Sequence, residues 1–255
     1  MIVDVHVHLG VRQQIWGIKK NTPENQIKMM DDCGIDKACV FSPASGLIRP
    51  EHFDEANDYV AVARDAYPDR LIPFCIVNPW FGEDTVSEIE RNVERGFAGI
   101  KLYPTGHGYY PIDSPLVDYV IGTAVRFDIP VLIHTDFNSK VATPYQFANL
   151  ARRWPEAKLI MAHMGMDPDL VHFAANLIQD LSNTYVDISA TPDLPDAVVK
   201  QPVDILGSER VLFGSDGPTL HPKLTMLKVK LAGLSDADER NVMGESILRL
   251  LRQKR

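Results

Sequence analysis

The stretch Ile2-Val-Asp-Val-His-Val-His8 decides how the rest of the chain is read. A short apolar run over residues 2–5 reads as a strand, and two imidazoles stand immediately beyond it. Seven more short apolar runs follow, at residues 37–41, 71–77, 99–102, 131–133, 159–162, 184–188 and 211–213. Most are bounded by Pro, Gly or Asp, the usual limits of a strand. Between them lie amphipathic segments at residues 23–33, 53–67, 84–95, 115–127, 144–153, 169–180, 195–200 and 222–232. Several open with Pro, which costs nothing in the first turn of a helix. Near-continuous apolar strands belong to a parallel sheet covered on both faces. Eight βα units in one chain of 255 residues match an α/β fold of the (β/α)8 TIM-barrel type. A doubly wound open sheet is the rival, and no G-x-G-x-x-G follows the first strand to support its dinucleotide-binding form. Residues 236–251 read as a C-terminal helix packed on the barrel through Val242, Ile247, Leu248, Leu250 and Leu251. No repeat or linker divides the chain, so residues 1–255 form a single domain.

The formal net charge of −8 argues against general binding to nucleic acid or an anionic membrane. No apolar run has the length of a membrane span, and the N-terminus lacks the basic start and long apolar stretch of a signal peptide. Cys33, Cys39 and Cys75 have neither metal nor redox spacing and read as reduced thiols of a cytoplasmic protein.

The chemistry collects at strand ends. His6 and His8 follow the first strand, Lys101 ends the fourth, His134 the fifth, His163 the sixth, and Asp216 follows the eighth. In a (β/α)8 barrel these ends share one face, where active sites are built. Residues two apart on a strand point to the same side, so His6 and His8 can aim together into the barrel mouth. Zn²⁺ accepts imidazole nitrogen and carboxylate oxygen and leaves a position open in catalytic sites. His6, His8, His134 and Asp216 can supply such a set. Each alone has an ordinary explanation: a structural histidine, a solvated lysine, an aspartate capping a turn. Their joint placement is what favours a metal site. His107 and His221 lie on loops near these ends as candidate substrate contacts, whereas His52 precedes a helix at the surface and His172 lies inside one.

These residues resemble the amidohydrolase superfamily along essentially the whole chain. The similarity is to its amidohydrolase-related branch, which includes aminocarboxymuconate-semialdehyde decarboxylase-like and resorcylate decarboxylase-like enzymes. The matching pieces are Asp4-Val-His-Val-His8, Pro68-Asp-Arg-Leu71, Gly99-Ile-Lys-Leu102, His134, Ala162-His-Met-Gly165 and Phe213-Gly-Ser-Asp216. The tail from Val242 to Leu250 resembles the closing helix, with Glu245-Ser246 where the family usually carries Asn-Ala. The resemblance implies a divalent metal, usually zinc, on His6, His8, His134 and Asp216, with His163 beside it as acid/base or water-orienting group. Asp216 then has two roles, ligand and proton acceptor. Gly99-Ile-Lys-Leu-Tyr-Pro104 also resembles the dihydroorotase segment whose lysine is carbamylated and bridges two metals. One ion is favoured here; a carbamylated Lys101 with a second ion on His134 and His163 is the alternative.

Two reactions use the same ligands. The first, favoured because the βα loops look compact, is hydrolysis of a small lactone, cyclic amide or ester. The second is nonoxidative decarboxylation of an unsaturated or aromatic carboxylic acid. A catalytically silent metal-binding barrel is the non-enzyme alternative. Arg12 and Arg49, after the first two strands, could hold a substrate carboxylate through a bidentate fork. Trp16, Tyr103, Tyr109 and Tyr110 could wall a flat pocket. The expected partner is a small molecule, and a homodimer is the default assembly of such barrels.

Overall fold

The computed structural model describes residues 1–14, 17–46, 49–167, 169–191 and 193–251, with the side chains of 11–19 left aside. Eight parallel strands run in chain order around one sheet. They are β1 (Val3–His8), β2 (Lys37–Phe41), β3 (Leu71–Ile76), β4 (Gly99–Leu102), β5 (Val131–His134), β6 (Leu159–Ala162), β7 (Thr184–Asp187) and β8 (Val211–Leu212). The sheet closes on itself between the last strand and the first. Val5 N–H donates to Phe213 O at 3.0 Å, Asp216 N–H to His6 O at 2.9 Å, and His8 N–H to Gly217 O at 2.7 Å. The result is the (β/α)8 barrel that the eight runs predict.

Helices α1 (Pro23–Cys33), α2 (Pro50–Ala66), α3 (Glu83–Glu94), α4 (Asp118–Arg126), α5 (Pro144–Arg153), α6 (Val171–Leu177), α7 (Gln201–Leu206) and α8 (Pro222–Leu231) cover the outside. Alternation along each strand splits the core into two layers. Ala38, Val40, Val131, Ile133, Leu159 and Met161 face the helices. Cys39, Phe41, Phe74, Ile76, Leu132, Ile160 and Leu212 fill the barrel.

β1 departs from simple alternation. Val3 and Val5 belong to the inner layer and Val7 to the outer one. The pairing with β2 shifts register between Asp4 and Val7. Such an irregularity re-aims side chains, and here it lets His6 and His8 follow two inward valines into the barrel mouth. The strand therefore runs through both histidines, three residues past its predicted end.

Two further differences matter. After β1 the chain forms an antiparallel hairpin, Gly10–Gln14 with Gly17–Asn21, so this loop is not compact. The predicted closing helix is broken into α9 (Asp236–Arg240), a wider turn at Asn241–Glu245 and α10 (Ser246–Leu251). Ile247 and Leu250 of α10 join Val3, Val5 and Leu212 in the inner cluster, so this helix packs against the barrel interior. Among the described residues, no helix is long and apolar enough to cross a membrane. Cys33, Cys39 and Cys75 are free and buried.

Candidate active site

Strands β1, β4, β5, β6 and β7 deliver side chains to the same mouth, and the turn after β8 adds Asp216. His6 is buried. Its Nδ1 lies 2.5 Å from Asp187 Oδ2, and its Nε2 lies 3.3 Å from Lys101 Nζ and 3.6 Å from Asp216 Oδ1. His8 Nε2 bonds Asp216 Oδ1 at 2.8 Å. The His163 ring sits 4.6 Å from the His6 ring and 5.0 Å from that of His134. Lys101 is only 2% exposed, and its ammonium stands 5.0 Å from the centre of the Phe41 ring.

Two buried triplets could hold an ion: His6 with His8 and Asp216, and His6 with His163 and Asp187, their donor atoms within 4.8 Å of one another. The first contains three of the four predicted ligands. His134 stands beside it, its ring packed edge-on against Tyr103 at 5.0 Å and against His163. Nitrogen and carboxylate donors gathered out of water are the set that Zn²⁺ and similar divalent ions accept, so these residues fit a metal.

Electrostatics support the same reading. Burial pushes the Asp216 carboxyl up, but the His8 hydrogen bond and the neighbouring His8 and His6 outweigh it and hold the group well below the usual range. Burial, then the neighbouring His6, lowers His163 to about 3. Burial, then His163 and Lys101, keeps His134 well below the ordinary histidine value. His134 and His163 are therefore neutral near pH 7, as metal ligation and proton transfer require.

A cavity lined by His6, His8, Phe41, Ser42, Pro43, Lys101, Tyr103, His107, His134 and His163 opens here, with free space of about 20 Å³. That is the room of roughly one water molecule. A larger cavity of about 540 Å³ lies among Met1, Ile2, Lys223 and Met243, away from this constellation. His107, pushed down to about 4 by burial, donates from Nε2 to Ala44 O at 2.8 Å. Of the four predicted wall aromatics, Tyr103 lines the cavity; Tyr109 is exposed and Tyr110 is packed in the core. Trp16 and the Arg12 side chain lie outside the described residues. Arg49 is exposed at the N-cap of α2, where Pro50 starts the helix, and is not among the residues that line this cavity. His221 caps α8, accepting from Lys223 N–H at 3.3 Å, and does not line the cavity.

Three site residues escaped the sequence reading. Asp187 ends β7 and holds His6, Ser189 follows it, and Asp4 accepts backbone N–H groups of His6 at 3.1 Å and Ser215 at 2.9 Å. Burial raises the Asp4 carboxyl to about 7. Applying the strand-end rule to β7 would have found Asp187, but the predicted run continued to Ile188 and hid it inside a strand.

A closed (β/α)8 barrel with buried imidazoles, an ammonium and carboxylates at the C-terminal mouth defines a metal-dependent enzyme, hydrolase or decarboxylase. The chain belongs to the amidohydrolase family, which it matches over residues 3–253. This sets aside the catalytically silent barrel. No curated protein matches the chain. Among solved structures it is similar to 2,6-dihydroxybenzoate decarboxylase from Rhizobium, with 17% sequence identity, TM-score 0.79 and 98% of each chain covered. 5-Carboxyvanillate decarboxylase from Sphingomonas paucimobilis gives 16% identity and TM-score 0.78, with 98% of each chain covered. A dihydroxybenzoic acid decarboxylase from a Polaromonas species, holding manganese and 2-nitroresorcinol, gives 16% identity and TM-score 0.80 over 100% of this chain and 97% of that one. At such identities the likeness speaks for the fold.

Proposed function

We propose that the chain is a metal-dependent, nonoxidative decarboxylase of a small hydroxylated aromatic or unsaturated carboxylic acid. The observation that carries this reading is a buried lysine ammonium in a cavity walled by flat rings, beside the His/Asp set. An ammonium in low dielectric attracts a substrate carboxylate strongly, and the flat rings of Phe41, Tyr103 and His134 suit a planar acid once the mouth opens beyond its present room of about one water molecule. His107 adds a second cue. Its Nε2–H is committed to Ala44 O, and its Nδ1 is a buried acceptor with no hydrogen-bond partner among the described residues. A substrate hydroxyl would satisfy it. The three decarboxylases of similar fold act on acids of this kind, by their names.

In this reading His6, His8, His134 and Asp216 hold one divalent ion, zinc by the imidazole count or manganese as in the Polaromonas structure. A bound ion would supply a Lewis acid that anchors and polarises substrate oxygens. Decarboxylation breaks the carbon–carboxylate bond, releases CO₂ and places one proton on that carbon. His163 handles the proton: its neutral ring takes one from the substrate hydroxyl or water and passes it to the carbon that loses CO₂, solvent reprotonates the oxygen, and the nearby Asp216 charge favours the imidazolium formed in between. Lys101 stays an unmodified amine that orients the carboxylate.

Hydrolysis of a lactone, cyclic amide or ester remains the second reading. It is favoured by an Asp216 held ionised beside His6 and His8, where the carboxylate can hold the ion and accept a hydrogen bond from an attacking water. The test is incubation of zinc- and manganese-loaded protein with a panel of hydroxybenzoates and a panel of lactones. CO₂ release that a chelator abolishes is expected. Acid formed from a lactone without CO₂ release would install hydrolysis instead. A mass increment of one CO₂ on Lys101 with two ions per chain would replace the single-ion site.

A further inference from the structure

Hydrogen-bond directions at the base of the site are fixed by groups that can only accept or only donate. Ser189 O is a carbonyl and only accepts. It lies 3.1 Å from His163 Nδ1, so that nitrogen carries the proton. Ser189 Oγ lies 2.9 Å from the same Nδ1 and 2.9 Å from Asp187 Oδ2. A hydroxyl has one proton, and the carbonyl already places the His163 proton on Nδ1; with Asp187 ionised, Ser189 accepts from His163 and donates to Asp187, its Oγ also lying 3.2 Å from His6 Nδ1, whose proton it can share. Asp187 Oδ2 also receives His6 Nδ1–H at 2.5 Å. The opposite side of His6 agrees: the Lys101 ammonium, a donor only, points at His6 Nε2 from 3.3 Å. Asp187 is itself oriented, because Ser189 N–H donates to its other oxygen at 2.7 Å.

We infer that Asp187 and Ser189 are positioning residues that lock His6 and His163 in the Nδ1–H tautomer, so that both rings keep Nε2 as a lone pair for the site. Asp187 on β7 thereby sets the proton state of a candidate metal ligand on β1, and Ser189, through its carbonyl, that of the candidate proton carrier after β6. The consequence for catalysis rests on the roles proposed above for His6 and His163; the tautomers themselves do not. Partners of this kind fix ring orientation and raise ligand basicity.

Asp187→Asn gives a sharp test. The Ser189 N–H requires an acceptor, so the amide oxygen takes that position and the amide NH₂ turns toward His6 Nδ1. His6 must then accept at Nδ1 and carry its proton on Nε2. The measurement is two-bond proton–nitrogen correlation on the full, metal-free chain with nitrogen-15 histidine, assigned with His6→Asn and His163→Asn. The wild-type protein should show Nδ1–H signals for His6 and His163. In Asp187→Asn, His6 alone should switch to Nε2–H, and zinc affinity measured by calorimetry should fall about 10–100-fold. Either ring in the Nε2–H form in the wild type overturns the proposal, even if the variant does not fold. Loss of zinc with unchanged tautomers also overturns it and makes Asp187 a direct ligand. Because neither readout involves a substrate, a failed decarboxylase assay leaves this outcome separate.

Discussion

At the scale of single residues, the site separates ligands from the groups that move protons. Asp216→Asn or His6→Ala removes a donor from the buried triplet. Metal content of the purified variants should fall to a small fraction of wild type, and full occupancy would refute the ligand set. His163→Asn should retain the metal and lose about 10²–10⁴ in turnover, the usual worth of a positioned acid or base. Gly214 matters for a steric reason. A Cβ there would lie 2.2 Å from Asp187 Oδ1 and 3.0 Å from His6 Cβ. Gly214→Ala should therefore displace the carboxylate that holds His6 and lower metal affinity about 10-fold or more, as read by calorimetry on the folded variant. Most of these residues were legible because strand ends in a barrel share one face. The hydrogen-bond partner of each was not: His6 and Asp187 are separated by 181 positions, and His8 and Asp216 by 208.

At the scale of elements, local rules carried far. Pro144 opens α5 as its place in the sequence predicts, and Thr143 before it closes a full capping box with Gln146. Thr143→Ala should cost about 1 kcal/mol in urea unfolding with activity unchanged, since the cap satisfies backbone N–H groups remote from the mouth. The bulge in β1 was not legible. Sequence spacing says that His6 and His8 share a face, but not that the face changes after Val5. That change depends on how β1 pairs with its neighbours: the register slip against β2, the Asp4 bonds to His6 N–H and Ser215 N–H, and the β8 backbone bonds. The break in the closing helix was hidden for a similar reason. A Cβ on Gly244 would stand 2.4 Å from Met1 O, a contact between the two ends of the chain.

At the scale of the whole molecule, closure and filling of the barrel hold the mouth in shape. Ile247 is 1% exposed in the inner cluster, so Ile247→Ala should cost about 2–5 kcal/mol by the lost transfer and cavity terms. A thermal or urea melt indistinguishable from wild type would show that α10 is dispensable. Burial raises the thiols of Cys39 and Cys75 far above their ordinary value and that of Cys33 in the same direction. All three should stay unmodified by a disulfide reagent in the native protein and react only on unfolding; rapid native labelling would contradict their burial. The sequence by itself determined the barrel, the face on which chemistry collects, and the six strand-end groups that were singled out. Strand period and the common direction of βα units are local properties, so they can be read without the fold. Only the tertiary structure decided that Arg49 stands exposed off the cavity wall, that Asp187 and Ser189 join the site, and which ring nitrogen meets which oxygen. Those outcomes depend on distances between strands far apart in the chain, and barrel closure alone sets them.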